Sequence, residues 1–399
     1  MNISLFRSLA LVAFAIAILI LSGPVHGESG QLASFKNAYR LVHESLSKHG
    51  DHRAVETAGG FQVRLHGTYD LTTRLQGRSA FRDEPTDIEE HITYDARKGW
   101  VSYDADYFNY FSSNQKYREI YDDQGRVIYI DKLNSDGGWL PFEMVPDARE
   151  RYLRVLPGML LAEALRHSRS LRSVGESQAG GAVLDVVSFT TPGGDALYLS
   201  IDRETRLLSS ASALIDMPLL GWTRMSWNWA GYAPGKSGLV NPARLEVRLG
   251  DRILKSVDMT TTFGGYPDAF EAPEGVDIGD PPEDLLRRAD FVPYGERPPE
   301  VETLVPQVYL VKGLRPGFGM VFVEFDEYVV AVDAPTGWYE MNQIPPMNWS
   351  HGDAIDALGR KYLRAIAQTV PDKPVRYVVL SHHHSDHIGG ILPFIDAGA

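Results

Sequence analysis

The stretch YVVLSHHHSDHIGG, residues 377–390, decides how the C-terminal part of this chain is read. Val378, Val379 and Leu380 form a short unbroken apolar run, the mark of a buried strand. A polar cluster follows at once: His382, His384, Asp386 and His387. Side chains of an extended backbone alternate faces, so His382 and His384 point the same way and are placed to grip one ion. The chain must then turn, which carries Asp386 and His387 to a second ion position beside the first. Gly389 and Gly390 permit close backbone approach where the next helix starts. Imidazole nitrogen and carboxylate oxygen suit zinc, and also iron or manganese. The alternative is a solvated His-rich loop, and His383 reads that way. The strand before the cluster and the Gly-Gly after it are the context that a metal motif requires.

The His-x-His-x-Asp-His spacing resembles the signature of the metallo-β-lactamase-fold hydrolase superfamily. The resemblance implies that His382 and His384 serve one metal and Asp386 and His387 the other, with Asp386 also steering a proton during catalysis. It implies an Asp at the end of an earlier strand. Tyr328 to Val332 is that strand here, and Asp333 matches the Asp, whose expected role is to orient the ligands and the turn that bears them. The implied fold is an αββα sandwich holding two zinc ions, with iron or manganese as alternatives. The implied chemistry is attack by metal-activated hydroxide on a small-molecule lactam, lactone, ester, thioester or phosphoester. The superfamily also uses a third His, a bridging Asp and a final His downstream of the motif. Nothing after His387 matches these, and Asp396 falls at an early helix position. The resemblance therefore spans residues 301–399, the first half of such a domain, and the chain reads as a truncated form with an incomplete site.

Outward from the motif, strands are expected at Gln307 to Lys312, Met320 to Phe325 and Tyr328 to Val332, with a hairpin at Asp326-Glu327. The long loop from Ala334 to Gly352 holds Trp338, Tyr339, Trp349 and His351. It follows Asp333 directly, so it is expected on the metal side as part of a substrate wall. Asp353 is placed to cap a helix with Ile355, Leu358, Tyr362 and Ile366 on one face, ended by Pro371 and Pro374. Before this unit, Glu271 to Glu300 is dense in proline and acid and reads as a stiff connector, with a helical turn at Leu285 to Ala289.

Residues 28–270 read as an antiparallel β-rich domain with helices, so the whole chain is α+β. Gln31 to His49 repeats Leu32, Phe35, Tyr39, Val42 and Leu46 at helical spacing, and Gly50 ends it. The period then changes to two, in Phe61-Val63-Leu65 and less cleanly in Ile88-Ile92-Tyr94. Val127 to Ile130, Val183 to Phe189, Leu197 to Ile201, Leu245 to Leu249 and Ile253 to Phe263 read as further strands between turn signals. One helical stretch, Pro146 to Leu171, is expected to kink or split at Pro157. In pattern this resembles the open half-barrel of periplasmic lipoprotein carriers and related lipid-binding domains. Trp222, Trp227 and Trp229 read either as an aromatic wall for an acyl chain or as core packing. His43, His49, His52, His66, His91 and His167 lack ligand spacing and read as surface or satisfied core residues.

Residues 1–27 read as a secretory signal peptide: Arg7, an apolar run from Leu9 to Leu21, then small residues around Gly27. A run of that length is too short to span a bilayer comfortably, although an uncleaved anchor is the rival reading. The chain has no cysteine, which excludes a disulfide framework and a lipidated Cys. Its net charge of -13 and the lack of a basic stripe argue against a nucleic-acid partner. A periplasmic or secreted location follows. Two rival functions stay open: an iron-dependent sulfur dioxygenase of the same fold, and a periplasmic lipid- or ligand-binding protein with a vestigial metal domain.

Overall fold

The computed structural model describes residues 27–50, 53–69, 86–108, 114–140, 148–217, 221–235, 238–282, 292, 294–315, 318–336, 356–382 and 385–399. Residues 1–26 of the expected signal peptide, residues 337–355, the expected helical turn at 285–289, and His383 and His384 lie outside the described residues.

The N-terminal part opens with helices α1 (Gly27–His49) and α2 (Arg53–Ala58). Six strands follow: β1 (Gly60–Tyr69), β2 (Thr86–Asp95), β3 (Trp100–Phe108), β4 (Asn114–Tyr121), β5 (Val127–Asp131) and β6 (Asp136–Leu140). Helices α3 (Ala148–Leu153) and α4 (Pro157–Arg166) interrupt. Then come β7 (Arg172–Ala179), β8 (Ala182–Thr190), β9 (Ala196–Asp202), β10 (Leu208–Met217), β11 (Gly221–Ala230), the two-residue β12 (Ala233–Pro234) and β13 (Val240–Asn241), β14 (Arg244–Leu249) and β15 (Arg252–Phe263). Thirteen of these strands make one sheet in the order β6-β5-β4-β3-β2-β1-β15-β14-β11-β10-β9-β8-β7. Every pair is antiparallel. Strands consecutive in the chain pair with one another on each side of the sheet, and β15 returns to close on β1.

One face of the sheet carries the core, because alternate residues of each strand point to it. Phe61, Val63 and Leu65 of β1 are fully buried there, against Ala38, Leu41 and Val42 of α1 and Leu160, Leu161 and Ala164 of α4. The helical stretch splits as expected, with Pro157 in the first turn of α4, where its missing N–H leaves no bond unmade. The α1 face differs from expectation. Val42 is buried and Phe35 and Leu46 pack on the core as expected, but Leu32 and Tyr39 are 52% and 43% exposed, and the buried stripe also takes in Ala38, Leu41 and Ser45. The three tryptophans also separate: Trp227 and Trp229 are core, with Trp229 donating its indole N–H to the Val155 carbonyl at 3.0 Å, while Trp222 is 70% exposed. They form no common wall.

The opposite face of the sheet is covered in part by the chain leaving β15. Phe270 packs with Ile120 and Ile130, and Val276 and Ile278 lie against that cluster. Arg118 donates to the Asp268 and Glu271 carbonyls, and the Trp139 indole to that of Gly279. Residues 271–279, the start of the expected stiff connector, are therefore docked on the sheet. Their apolar residues, Val276 and Ile278, are few and hidden among acids and prolines.

His49, at the end of α1, is the satisfied core histidine that its isolation suggested. Its Nδ1 lies 3.0 Å from the Val240 carbonyl, so Nδ1 carries the proton, and Nε2 accepts the Leu208 N–H at 3.2 Å. Burial, only partly offset by the Val240 bond, lowers its pKa below the ordinary 6.5. The neutral form is folded-compatible, while the unfolded chain takes up a proton below about 6.5. Stability is therefore complete above that value and falls as the pH drops through the lowered folded-state pKa. One proton gives at most about 1.4 kcal/mol per pH unit. The difference in urea midpoint between wild type and His49→Gln is expected to narrow on acidification below 6.5; a constant difference would remove His49 from the acid response.

The C-terminal part has a five-stranded sheet in the order β16-β17-β18-β19-β20: β16 (Glu300–Val305), β17 (Val308–Arg315), β18 (Phe318–Glu324), β19 (Val329–Val332) and β20 (Val375–Val379). The first four form antiparallel pairs, and β20 joins β19 in parallel after the crossover helix α5 (Ala357–Thr369). The short helices α6 (Ser385–Ile388) and α7 (Leu392–Asp396) end the chain. Leu358, Tyr362 and Ile366 of α5 are buried as expected. The β-β-β-α-β order is present, with β16 added in front. Among the described residues there is a single sheet here, so the expected αββα sandwich is not seen. β20 is an edge strand. Val379 and Leu380 are 53% and 45% exposed, which corrects the expectation of a buried run.

Candidate metal centre

The site forms where β19 and β20, parallel neighbours, release the chain at their C-terminal ends. Asp333 follows β19, and Ser381 and His382 follow β20. Asp333 has φ 60°, the left-handed region that a non-glycine residue seldom occupies. It holds that strained conformation while its N–H donates to the Val379 carbonyl at 2.8 Å. The turn aims its carboxylate, 6% exposed, at the loop after β20.

Three donors converge on that carboxylate. Oδ1 accepts the Ser381 N–H at 2.7 Å. Oδ2 accepts the Ser381 hydroxyl at 2.9 Å and His387 Nδ1 at 2.8 Å. Burial opposes the charged form, but the Ser381 N–H, the His387 imidazole and the Ser381 hydroxyl outweigh it and hold the Asp333 pKa below the usual 3.8. The His382 ring lies beside His387, centroids 4.1 Å apart, and its Nδ1 is 2.9 Å from Ser381 Oγ. Phe318 of β18 lies against the other imidazole, at 5.8 Å from His387.

The backbone is strapped at the same place. Ala334 donates its N–H to the His387 carbonyl at 2.6 Å, and Gly390 donates to the Ala334 carbonyl at 2.9 Å. Gly390 is needed there, because a Cβ would run into the Pro335 carbonyl, with its carbon at 2.9 Å.

Of the expected ligands, the structure thus brings His382 and His387 together, with the Asp333 carboxylate hydrogen-bonded to His387 and Ser381. His384 and the side chain of Asp386 lie outside what is described, and among the described residues no three His, Asp or Glu side chains converge on one point. The two imidazoles fit a metal in one respect. A ligating His commonly anchors its other ring nitrogen on a carboxylate, and His387 does so on Asp333. Ser381 escaped the sequence reading; its only signal was its position directly before His382.

A cleft of about 630 Å³ lies on the face of the large sheet opposite α1 and α4, lined by Glu89, His91, Asp104, Lys116, Arg118 and Lys132. Its charges answer one another: Arg118 and Lys132 meet Asp104, Lys116 meets Asp106, and His91 meets Glu89. The cleft reads as an internally neutralised surface.

Residues 348–399 match the metallo-beta-lactamase superfamily. A search of curated proteins finds no match to the chain. Among solved structures, a DUF1329 family protein from Desulfovibrio piger is similar at 10% identity over 60% of this chain and 97% of that one, with TM-score 0.31. A putative outer membrane lipoprotein-sorting protein domain from Vibrio parahaemolyticus aligns at 6% identity over 59% of this chain and 97% of that one, TM-score 0.37. The Pseudomonas aeruginosa MucA/MucB complex aligns at 14% identity over 72% and 78%, TM-score 0.24. TM-scores this low carry no fold assignment.

Proposed function

We propose that the chain is an exported metal-dependent hydrolase of the metallo-β-lactamase type, with His382, His384, Asp386 and His387 as metal ligands. The observation that supports this reading is the Asp333 carboxylate, which receives at 2.8 Å the Nδ1 of His387, a residue within the superfamily match over residues 348–399. A buried carboxylate behind an imidazole fixes which ring nitrogen carries the lone pair, which is what a metal ligand requires. Two zinc ions are the expected complement, with iron or manganese as alternatives. When bound, such ions supply a hydroxide nucleophile near neutral pH and polarise the bond under attack. The chain's own contribution is to hold the imidazoles in register and to place Asp386 for proton transfer. The substrate is a small molecule with an ester, lactone, lactam, thioester or phosphoester bond. The apolar leader at residues 1–27 supports a periplasmic or secreted location. No helix among the described residues is long and apolar enough to cross a membrane.

The reading is tested on the full chain by elemental analysis and chelator competition. Zinc, iron or manganese is expected to co-purify, and His384→Ala and His387→Ala are expected to drop the metal content toward background. Wild-type protein that takes up none of the three overturns the reading. Iron with oxygen uptake would instead favour the dioxygenase chemistry, and assays on a chromogenic lactam, a lactone and a phosphodiester sort the hydrolytic classes.

A further inference from the structure

We propose that Ser381 is a positioning residue that relays Asp333 to His382, so that one buried carboxylate sets the tautomers of both imidazoles. The argument is proton counting. The serine hydroxyl has one proton and two neighbours, Asp333 Oδ2 at 2.9 Å and His382 Nδ1 at 2.9 Å. The carboxylate only accepts, and it also receives the Ser381 N–H and His387 Nδ1. If the hydroxyl pointed at His382, two oxygens carrying only lone pairs would face each other at hydrogen-bonding distance. The hydroxyl therefore donates to Asp333. Its oxygen must then accept from His382, which puts the proton of that ring on Nδ1 and the lone pair on Nε2. His387 reaches the same tautomer directly. The chain reads His382 Nδ1–H to Ser381 Oγ–H to Asp333 Oδ2, met from the other side by His387 Nδ1–H. The two rings, 4.1 Å apart, thus carry their lone pairs on the same ring nitrogen.

The purpose of this arrangement rests on the metal reading above, but the tautomers themselves do not. The full chain is labelled with 15N-histidine, stripped with chelator and examined at about pH 8, where an ordinary imidazole is neutral. Long-range 1H–15N correlation is expected to show Nδ1–H at both His382 and His387. In Ser381→Ala, His382 is expected to move toward the Nε2–H-rich mixture of a free imidazole, while His387 stays Nδ1–H. Ser381→Thr is expected to restore His382, which a folding defect would not do. Zinc affinity by chelator competition is expected to fall about 10–100-fold in Ser381→Ala and recover in Ser381→Thr. An Nε2–H tautomer at His382 in the wild type, or no change there in Ser381→Ala, overturns the relay even if zinc binds. The predicted tautomers in a protein that binds no metal would uphold the relay and sink the metal reading instead.

Discussion

Replacing Lys255 by methionine is expected to destabilise the large sheet by about 3–5 kcal/mol, the cost of leaving a buried charge without its partner. Lys255 on β15 and Glu90 on β2 are both fully buried, and Nζ lies 2.6 Å from each carboxylate oxygen. Tyr103 of β3 adds a hydroxyl to Glu90 Oε1 at 2.7 Å. The two charges reach each other across β1. Glu90 stands opposite Leu65 and Lys255 opposite Tyr69, and the residue between them on the same face is Gly67, with no side chain to block the way. In Lys255→Met the carboxylate keeps Tyr103 but loses its counter-charge in a medium that cannot solvate it. The double variant Glu90→Gln/Lys255→Met removes both charges and keeps an acceptor for Tyr103, so it is expected to recover most of the loss. Urea unfolding, followed by the fluorescence of the buried Trp227 and Trp229, reads both. A single-variant loss under about 1 kcal/mol, or a double variant no better than the single, would show that the pair is not the buried ion pair described.

This pair also marks where sequence reading stops. The alternation of Phe61, Val63 and Leu65 made β1 legible, and Val183 to Phe189 and Leu197 to Ile201 gave β8 and β9 nearly whole. In β2, the run Ile88-Glu90-Ile92 places an acid at a core position, which looks like a broken pattern until its partner is known. The partner lies 165 residues away, so no local period can reveal it. β10 escaped for another reason: its core side is built from Ala211, Ala213 and Ile215 among serines, too small to stand out. β4, with the sequence NQKYREIY, hides its strand among charges: Lys116 is exposed, Arg118 is held by the Asp268 and Glu271 carbonyls, and Glu119 is buried beneath the Tyr121 and Tyr152 hydroxyls. At the candidate metal centre the motif residues were legible because their chemistry is rare and closely spaced. Asp333 was legible only through the resemblance, which asks for an Asp at the end of an earlier strand. Ser381 was not, because a serine beside a histidine is common and only the fold brings the Asp333 carboxylate to it.

Gly390→Ala is expected to damage the candidate metal centre and the small sheet together, although Gly390 is not among the proposed ligands. Its N–H donates to the Ala334 carbonyl at 2.9 Å, while the Ala334 N–H donates to the His387 carbonyl at 2.6 Å, so residues 387–390 are tied to the segment that follows Asp333. An alanine Cβ would collide with the Pro335 carbonyl, and with the Ala334 oxygen at 3.2 Å. These are backbone atoms and cannot rotate away. The turn is also backed from behind: a Cβ at Gly359 of α5 would meet the Gly390 carbonyl, with its carbon at 3.1 Å. The added methyl must therefore push the Ala334–Pro335 backbone outward, which lengthens the 2.8 Å bond between Asp333 and His387, or lift α5 off the turn. Overpacking of this kind costs about 1–3 kcal/mol. Loss of the carboxylate behind His387 is expected to weaken zinc binding about 10–100-fold. Gly359→Ala separates the two effects, because it presses on the turn from the helix side and leaves the contact with Pro335 open. It is expected to lower the melting temperature with a smaller change in zinc affinity. Chelator competition and thermal unfolding on the full chain give both readouts. If Gly390→Ala binds zinc as the wild type does, the strap between residues 334 and 390 does not set the position of His387.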